Sequence, residues 1–160
     1  MLLTSTIGAE EGRYVAIIDI PNAFVQTIIQ DEEYKVILQM RGNIYYLLMM
    51  IAPEIYLKYI TFKNKGETVI YVKALNAIYE IMKASLLFHK KFVGDITTIG
   101  FKLNPYVQYV TNKQIKGSKM TVVCHIDDNK VSQNIKRIVT IMVKRLNKTY
   151  EIIFIMDQER

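Results

Sequence analysis

Cysteine and histidine are scarce in this sequence of 160 residues, which contains one Cys and two His. A disulfide within the chain needs two cysteines, so the single Cys124 excludes a disulfide framework and a cysteine-based zinc site. His89 has no second His or Cys at the spacing of zinc ligands, so we do not expect it to bind zinc. The composition therefore argues against the disulfide-rich and zinc-stabilised classes of small domain.

Long apolar runs and repeated segments are also missing. The longest apolar run, Ile44 to Ala52, is too short to cross a bilayer, which needs about 20 apolar residues. The first residues lack a basic segment followed by an apolar one, so we expect no secretory signal. No low-complexity tract or internal repeat is present. We therefore expect no membrane partner.

The sequence does have enough apolar residues for a core, since 51% of it is hydrophobic. Lys and Arg number 21 against 15 acidic residues, which gives a net charge of +6. A basic balance is compatible with a polyanionic partner, although many basic domains bind none.

A short apolar stretch leads into two adjacent carboxylates. Met120 to Cys124 is rich in apolar and β-branched residues, which predicts a mostly buried strand. His125 and Ile126 follow it, and then Asp127 and Asp128. Two acidic side chains at one turn concentrate negative charge and favour a bound cation. Such pairs also cap helices and fill turns, so this alternative stays open.

A second apolar strand, Tyr14 to Ile20, carries Asp19 near its end. If the two strands pair, three carboxylates come together, as needed to hold two Mg²⁺ ions roughly 4 Å apart for phosphoryl transfer. Alternatively, Asp19 simply caps a helix that begins at Pro21, a residue tolerated in the first helical turn.

Five segments, in order, resemble copia-type LTR-retrotransposon reverse transcriptases. Val15 to Phe24 is similar to the first catalytic motif of that family, in which an aromatic residue follows the acid by five positions. His125 to Asp128 resembles its two-aspartate turn, in the variant with His in front. The other three matching segments are Tyr71–Tyr79, Ala84–Lys91 and Gly100–Tyr106.

The resemblance implies an RNA-directed DNA polymerase that uses two Mg²⁺ ions, with manganese as a possible substitute. The implied partners are an RNA template, a DNA primer, deoxynucleoside triphosphates and the fingers, thumb and RNase H of a polyprotein. It also implies an intracellular location, in a cytoplasmic particle or the nucleus. The implied catalytic residues are Asp19, Asp127 and Asp128, joined as metal ligands by the Ile20 carbonyl, and the implied substrate-binding residues are Phe24, Ile20 and Ile126.

Several residues allow two interpretations. Phe24 is either a core aromatic or, by resemblance, the ring beneath the incoming sugar that excludes a 2′-hydroxyl. Glu80 stands where the family usually has Gly, and Asn129 and Gln133 replace residues that are commonly apolar or His. Glu80, together with the missing thumb and a C-terminal stretch unlike the family, favours an alternative, a catalytically inactive nucleic-acid-binding or structural remnant of a mobile element. Lysines at positions 83, 90, 91, 113, 116 and 119 face either template phosphates or solvent.

The expected fold is α+β, a reverse-transcriptase palm with a mainly antiparallel sheet, helices packed on one face, and incomplete fingers and thumb. We expect one partial domain over residues 1–156, with a palm core over about 14–150, an insertion-like connection at 41–67 and a tail at 157–160. The expected order is β-α-β-insert-β-α-β-β-α-β, with a family-implied helix in residues 1–13. Predicted helices cover 21–29, 53–60, 75–99 and 135–147, the last capped by Asn134, and predicted strands cover 34–40, 68–72 and a hairpin of 107–111 with 119–126.

Overall fold

The computed structural model describes residues 2–29, 35–63, 66–125, 128–150 and 152–156. In chain order, its elements are α1 (Leu2–Glu10), β1 (Tyr14–Asp19), β2 (Ile37–Met40), α2 (Asn43–Ile51), α3 (Pro53–Tyr56), a 3₁₀ turn (Leu57–Tyr59), β3 (Ile60–Phe62), β4 (Thr68–Lys73), α4 (Ala84–Thr98), β5 (Lys102–Leu103), β6 (Val110–Ile115), β7 (Ser118–His125), β8 (Asp128–Gln133), α5 (Lys136–Leu146) and β9 (Ile153–Met156).

The chain divides into two compact units. The first consists of residues 1–27 and 78–160, and the second of residues 28–77. The predicted insertion-like connection at 41–67 lies within the second unit, while the assignment of residues 1–156 to one partial domain stays a prediction. None of the described helices is long and apolar enough to cross a membrane.

The first unit is built on a six-stranded antiparallel sheet in the order β5-β6-β7-β8-β1-β9. Side chains alternate between the two faces of a strand, and β1 shows this directly. Ala16 and Ile18 are completely buried on one side, while Ile17 and Asp19 are exposed on the other. We call the side of Ala16 the inner face and the side of Asp19 the open face.

Helix α5 packs against β1 and β8 through Val139, Met142, Val143 and Leu146. Together with the antiparallel sheet, this packing confirms the predicted α+β class. Helix α1 contacts the open face instead, where Lys130 donates a hydrogen bond to Ser5 Oγ at 2.8 Å.

Aromatic side chains join α4 to the residues around it. Phe88 is completely buried, and its ring contacts those of Phe24, Phe92 and Tyr150 at centroid distances of 6.3, 5.8 and 6.2 Å. The Tyr150 hydroxyl donates to Asp95 Oδ2 at 2.5 Å. This hydrogen bond links Tyr150, which follows α5, to helix α4. Tyr150 is only 1% exposed, so the bond is shielded from solvent.

The second unit contains a three-stranded antiparallel sheet in the order β2-β4-β3. β4 is the central strand, and Val69 and Ile70 at its start are completely buried. Strand 68–72 is confirmed, and β2 lies within the predicted 34–40. The predicted helix 53–60 is shorter, because α3 gives way to the 3₁₀ turn and β3 begins at Ile60.

Two other helix predictions were wrong in part or in whole. Residues 21–26 form turns and no α-helix, because Asn22 adopts a left-handed backbone with φ of 54°. The helix predicted at 75–99 begins only at Ala84, since Glu80 has a φ of 71°. A left-handed residue interrupts the run of right-handed dihedrals that an α-helix needs.

The predicted hairpin is confirmed, but its turn is only Lys116–Gly117, with φ of 51° and 77°. These positive values are those of a two-residue turn that matches the twist of the strands. The helix at 135–147 is confirmed as α5, whereas the predicted Asn134 cap is wrong. Asn134 Oδ1 accepts a hydrogen bond from Ser118 Oγ, and Gln133 Oε1 accepts the Ile135 N–H.

Strand β8 was not predicted. Its sequence mixes charged, polar and apolar residues, so it lacks the apolar signature of a buried strand. Asn129 and Gln133 are nevertheless completely buried on the inner face. Asn129 and Gln133, two of the three departures from the family pattern named above, are therefore polar residues within the core.

The Glu80 backbone yields a first prediction. A residue with a Cβ atom in the left-handed region destabilises the folded state by roughly 1–2 kcal/mol, and Gly removes this strain. Gly also loses more conformational freedom on folding, which offsets up to about 1 kcal/mol of the gain. We expect Glu80→Gly to raise the free energy of unfolding by about 0.5–1 kcal/mol, measured by urea denaturation. Glu80→Ala is the matched control, because it removes the carboxylate but retains Cβ. An equal gain in the alanine variant would contradict the backbone explanation.

The Tyr150 hydroxyl yields a second prediction. Burial, and then the hydrogen bond and charge of Asp95, raise the pKa of Tyr150 above its ordinary value of 10. The neutral phenol is thus favoured in the folded state. The stability it contributes is present below pH 10 and lost as the pH rises above 10.

We expect Tyr150→Phe to lower the free energy of unfolding by about 1–2 kcal/mol at pH 7. The variant should also lose less stability than the parent between neutral and strongly alkaline pH, as measured by urea denaturation at each pH. Tyr106→Phe, at a residue 93% exposed, should match the parent in both respects. An alkaline loss in Tyr150→Phe as large as in the parent would contradict the assignment.

Candidate functional site

Two carboxylates lie side by side where β1 ends and β8 begins. The antiparallel register pairs Asp19 directly with Asp128. Directly opposed residues have Cβ atoms roughly 4.5–5.5 Å apart and side chains on the same face. Both residues are exposed, and both belong to the open face. Strand pairing thus brings together two acids that are 109 positions apart in the chain. The two strands predicted from the sequence do not pair directly, because β8 lies between β7 and β1 in the sheet.

The pair is part of a row across four strands. His125 on β7 is opposite Asp128, and Ile153 on β9 is opposite Asp19. Ile126 and Asp127 lie outside the described residues. Within the described part of the chain, no group of three His, Cys, Asp or Glu side chains could hold a metal ion. The third implied acid, Asp127, is among the residues that the structure does not describe, so its role as a ligand stays a prediction.

The charge at this row suits a hard cation. Two carboxylates directly opposed on neighbouring strands repel each other, and an ion bound between them removes that repulsion. Carboxylate oxygens are the ligands that Mg²⁺ takes in proteins. Cys124 precedes the row, but burial raises the pKa of its thiol to about 12, so it stays protonated at neutral pH. The donors that the described residues offer at this row are therefore the two carboxylates and the His125 imidazole.

Two buried cations lie further along the open face, and both were missed by the sequence analysis. Lys130 is 6% exposed and donates to Ser5 Oγ, and burial followed by the charge of Arg13 lowers its pKa. Arg13, whose side chain is 4% exposed, pairs with Glu11 at 2.6 Å and donates to Thr121 Oγ1 at 3.0 Å. Had β8 been predicted as a strand, the alternation of side chains would have placed Lys130 on the same face as Asp128, two positions earlier.

A groove lies on the open face under α1, with a volume of about 380 Å³. Leu3 and Ile7 of α1 form one wall, and Val123 and His125 of β7 lie in the other. Arg13 also lines the groove. The groove therefore joins the carboxylate row, through His125, to a buried guanidinium group.

Two of the other predicted site residues, Ile20 and Phe24, lie in the core. Ile20 is 1% exposed, and its carbonyl oxygen accepts a hydrogen bond from the Ala23 N–H at 3.1 Å. Phe24 is 9% exposed, with its ring 4.7 Å from that of Tyr79 and 6.3 Å from that of Phe88. This packing fits the core interpretation of Phe24, and the sugar-selecting role stays a prediction. Because no α-helix follows Pro21, the alternative in which Asp19 caps a helix is wrong.

Two of the lysines considered for phosphate contact make contacts within the protein. Lys113 Nζ donates to the Ile99 carbonyl oxygen at 2.6 Å, and Lys91 Nζ donates to Asp95 and Tyr150. His89 also has a structural role, since its Nε2 lies 3.2 Å from the Gln108 carbonyl oxygen. Burial lowers the pKa of His89, so the neutral ring is favoured.

The described residues define an α+β protein with a pair of carboxylates on the open face of an antiparallel sheet. No family model matches the chain, and no curated protein matches it. Among solved structures, it is similar to apo telomerase from Candida tropicalis, at 7% identity and a TM-score of 0.47, over 98% of this chain and 31% of that chain. A form of that telomerase truncated from the C-terminal domain gives 9% identity and a TM-score of 0.45, over 99% and 34%.

The chain thus spans about a third of the length of these telomerase chains. Likenesses at these TM-scores and identities carry no argument about function.

The opposed carboxylates yield a third prediction. Like charges directly opposed across a strand pair destabilise by roughly 0.2–1 kcal/mol, so Asp19→Asn and Asp128→Asn should each raise the free energy of unfolding by that amount in EDTA. Mg²⁺ should raise the Tm of the parent protein, because an ion that binds only the folded state stabilises it. The rise should be smaller in both variants, as measured by thermal unfolding.

Glu54→Gln provides the control, since Glu54 is an exposed carboxylate in the second unit. Its Mg²⁺ response should equal that of the parent. An undiminished Mg²⁺ response in both aspartate variants would show that the ion binds elsewhere.

Proposed function

We propose that the chain is the palm portion of a copia-type RNA-directed DNA polymerase, with Asp19, Asp127 and Asp128 as its metal-binding acids. The observation that carries this proposal is the cross-strand pairing of Asp19 with Asp128. The sequence motifs identify Asp19 and Asp128 as metal-binding acids without any knowledge of the strand pairing. A chance resemblance gives no reason for two distant acids to occupy opposed positions on the same face.

The proposed reaction is nucleotidyl transfer, in which a primer 3′-hydroxyl attacks the α-phosphate of a deoxynucleoside triphosphate and pyrophosphate leaves. Two Mg²⁺ ions, when bound, would activate the hydroxyl and neutralise charge on the phosphates. Asp19 and Asp128 supply oxygen ligands from neighbouring strands, and Asp127 supplies a third carboxylate. The second lone pair of the Ile20 carbonyl oxygen is available for the same purpose.

The sheet provides the rigidity that this reaction needs. Nucleotidyl transfer requires reacting atoms held close to attack geometry, and misplacement by about 1 Å can cost roughly a hundredfold in rate. β1 is hydrogen-bonded on both sides, to β8 and to β9, at the position of Asp19. The open face beside the acids would receive the primer and the RNA template, with fingers, thumb and RNase H supplied by the rest of a polyprotein.

The second candidate is a catalytically inactive nucleic-acid-binding remnant of such an element. Glu80 favours it, because a strained left-handed glutamate occupies the position at which the family usually has Gly. A side chain there adds bulk and charge next to Tyr79, whose ring contacts Phe24. This candidate retains the fold and the acids but lacks turnover.

Nucleotide binding tests the metal site. We expect a fluorescent deoxynucleoside triphosphate to bind the purified chain in Mg²⁺ and to bind at least about tenfold more weakly in EDTA, a difference of about 1.4 kcal/mol. Asp19→Asn and Asp128→Asn should abolish the Mg²⁺ dependence, while Glu54→Gln should preserve it. Equal binding in Mg²⁺ and EDTA by the parent would overturn the proposed site.

Primer extension on an RNA template then separates the two candidates, provided that the chain is joined to the fingers and thumb of a copia-type polymerase, since we expect the isolated chain to have little or no activity. Mg²⁺-dependent extension that both aspartate variants lose supports the polymerase. Mg²⁺-dependent nucleotide binding without extension supports the inactive remnant.

A further inference from the structure

The net charge of the chain comes entirely from one segment. Residues 129–150 contain six of the 21 basic residues and no acidic residue. The rest of the chain has 15 basic and 15 acidic residues and is therefore neutral overall. Lys130 is buried under α1, so the other five cations carry the exposed part of this charge.

Those five cations lie on α5 and just after it, and we call them the α5 basic surface. They are Lys136, Arg137, Lys144, Arg145 and Lys148, all exposed. The buried stripe of α5 lies on the opposite side of the helix and packs on the sheet. At 1.5 Å per residue, the surface extends about 16 Å from Arg137 to Lys148.

Helix stability accounts for only part of this arrangement. Lys144 and Arg145 lie in the last turn, where the helix dipole favours positive charge, but Arg137 lies in the first turn, where it is disfavoured. Lys144 and Lys148 are like charges four residues apart, a spacing at which they repel. Among the residues that the structure describes, no carboxylate forms a salt bridge with Arg137, Lys144, Arg145 or Lys148. These four charges, clustered on one exposed side of the helix, therefore suggest an external anion.

We propose that the α5 basic surface binds the phosphate backbone of a polynucleotide, without sequence specificity, on the side of the sheet away from Asp19 and Asp128. A row of cations about 16 Å long spans several phosphates, and neutralising each one releases counterions. An anionic membrane fits less well. A membrane-binding helix must insert its apolar face, whereas Val139, Val143 and Leu146 of α5 are buried in the core.

This inference goes beyond the proposed function, because it adds a second polynucleotide surface distinct from the open face. α5 contacts β1 and β8 through the inner face, whereas the carboxylates belong to the open face. One polynucleotide segment can therefore bind α5 while the acids stay accessible. The surface would serve an inactive protein as well as an active polymerase.

A charge-matched pair of variants tests the proposal. The test variant combines Arg137→Gln, Lys144→Gln, Arg145→Gln and Lys148→Gln. The control combines four exposed lysines elsewhere, Lys35→Gln, Lys58→Gln, Lys73→Gln and Lys102→Gln. Both lose four positive charges, and Gln is a good helix former, so the test variant should fold. Circular dichroism and Tm check this directly.

The measurement is fluorescence anisotropy with a labelled single-stranded RNA, a labelled DNA duplex and anionic phospholipid vesicles, over a range of salt concentrations. We expect the test variant to bind RNA or DNA about 10- to 100-fold more weakly at roughly 0.1 M salt and the salt slope to fall by about 3, while the control changes by less than about threefold. Equal weakening in both variants would overturn the proposal, because the effect would then follow net charge alone. Tighter binding to vesicles than to either nucleic acid would also overturn it.

A footprint on the parent protein keeps the proposal testable if the test variant does not fold. RNA or DNA should protect Lys144 and Lys148 from acetylation more than Lys35 and Lys73, as read by mass spectrometry. Equal protection at all four lysines would count against the α5 basic surface. If the parent protein shows no Mg²⁺-dependent nucleotide binding but RNA or DNA still protects Lys144 and Lys148, the proposed function is overturned and the proposal for the α5 basic surface stands.

Discussion

The pairing of β1 with β8 is the constraint on which the first unit depends. Ala16 faces Val131 and Asp19 faces Asp128 in the same register. Because side chains alternate along a strand, a slip of one residue would expose Ala16 and Ile18 and separate the two acids. Burial of the apolar residues on the inner face therefore holds the carboxylates opposite each other on the open face. The core thus stabilises the candidate site by fixing the register of the two strands.

The two faces of the sheet carry different chemistry. The inner face is closed by α5 and contains apolar residues together with completely buried Asn129 and Gln133. The open face is only partly covered, since α1 shields Lys130 but leaves the carboxylates exposed. A charge on the open face can therefore meet a ligand, whereas a polar group on the inner face must be satisfied within the protein.

The second unit has a different character. None of the residues of α2 is buried, and Met50 and Ile51 are 81% and 78% exposed. Its sheet has only three strands, so it offers a small inner face to helices. Val69 and Ile70 of the central strand β4 are completely buried, and so is Ala77, which follows that strand. The buried residues of this unit therefore lie on β4 and on the segment just after it.

Local sequence patterns determined much of this protein. Alternation and β-branched residues predicted β1 and β7, a helical apolar stripe predicted α5, and the motif spacing nominated Asp19 and Asp128 before any pairing was known. These features depend on near neighbours in the chain. The tertiary structure decided the rest. Only the pairing of strands more than 100 residues apart puts the two acids side by side. β8 is mostly buried because its neighbouring strands cover it, whatever its polarity. No α-helix forms at Asn22, and α4 begins only after Glu80, because the left-handed backbone at these two residues overrides the helix that local periodicity favours.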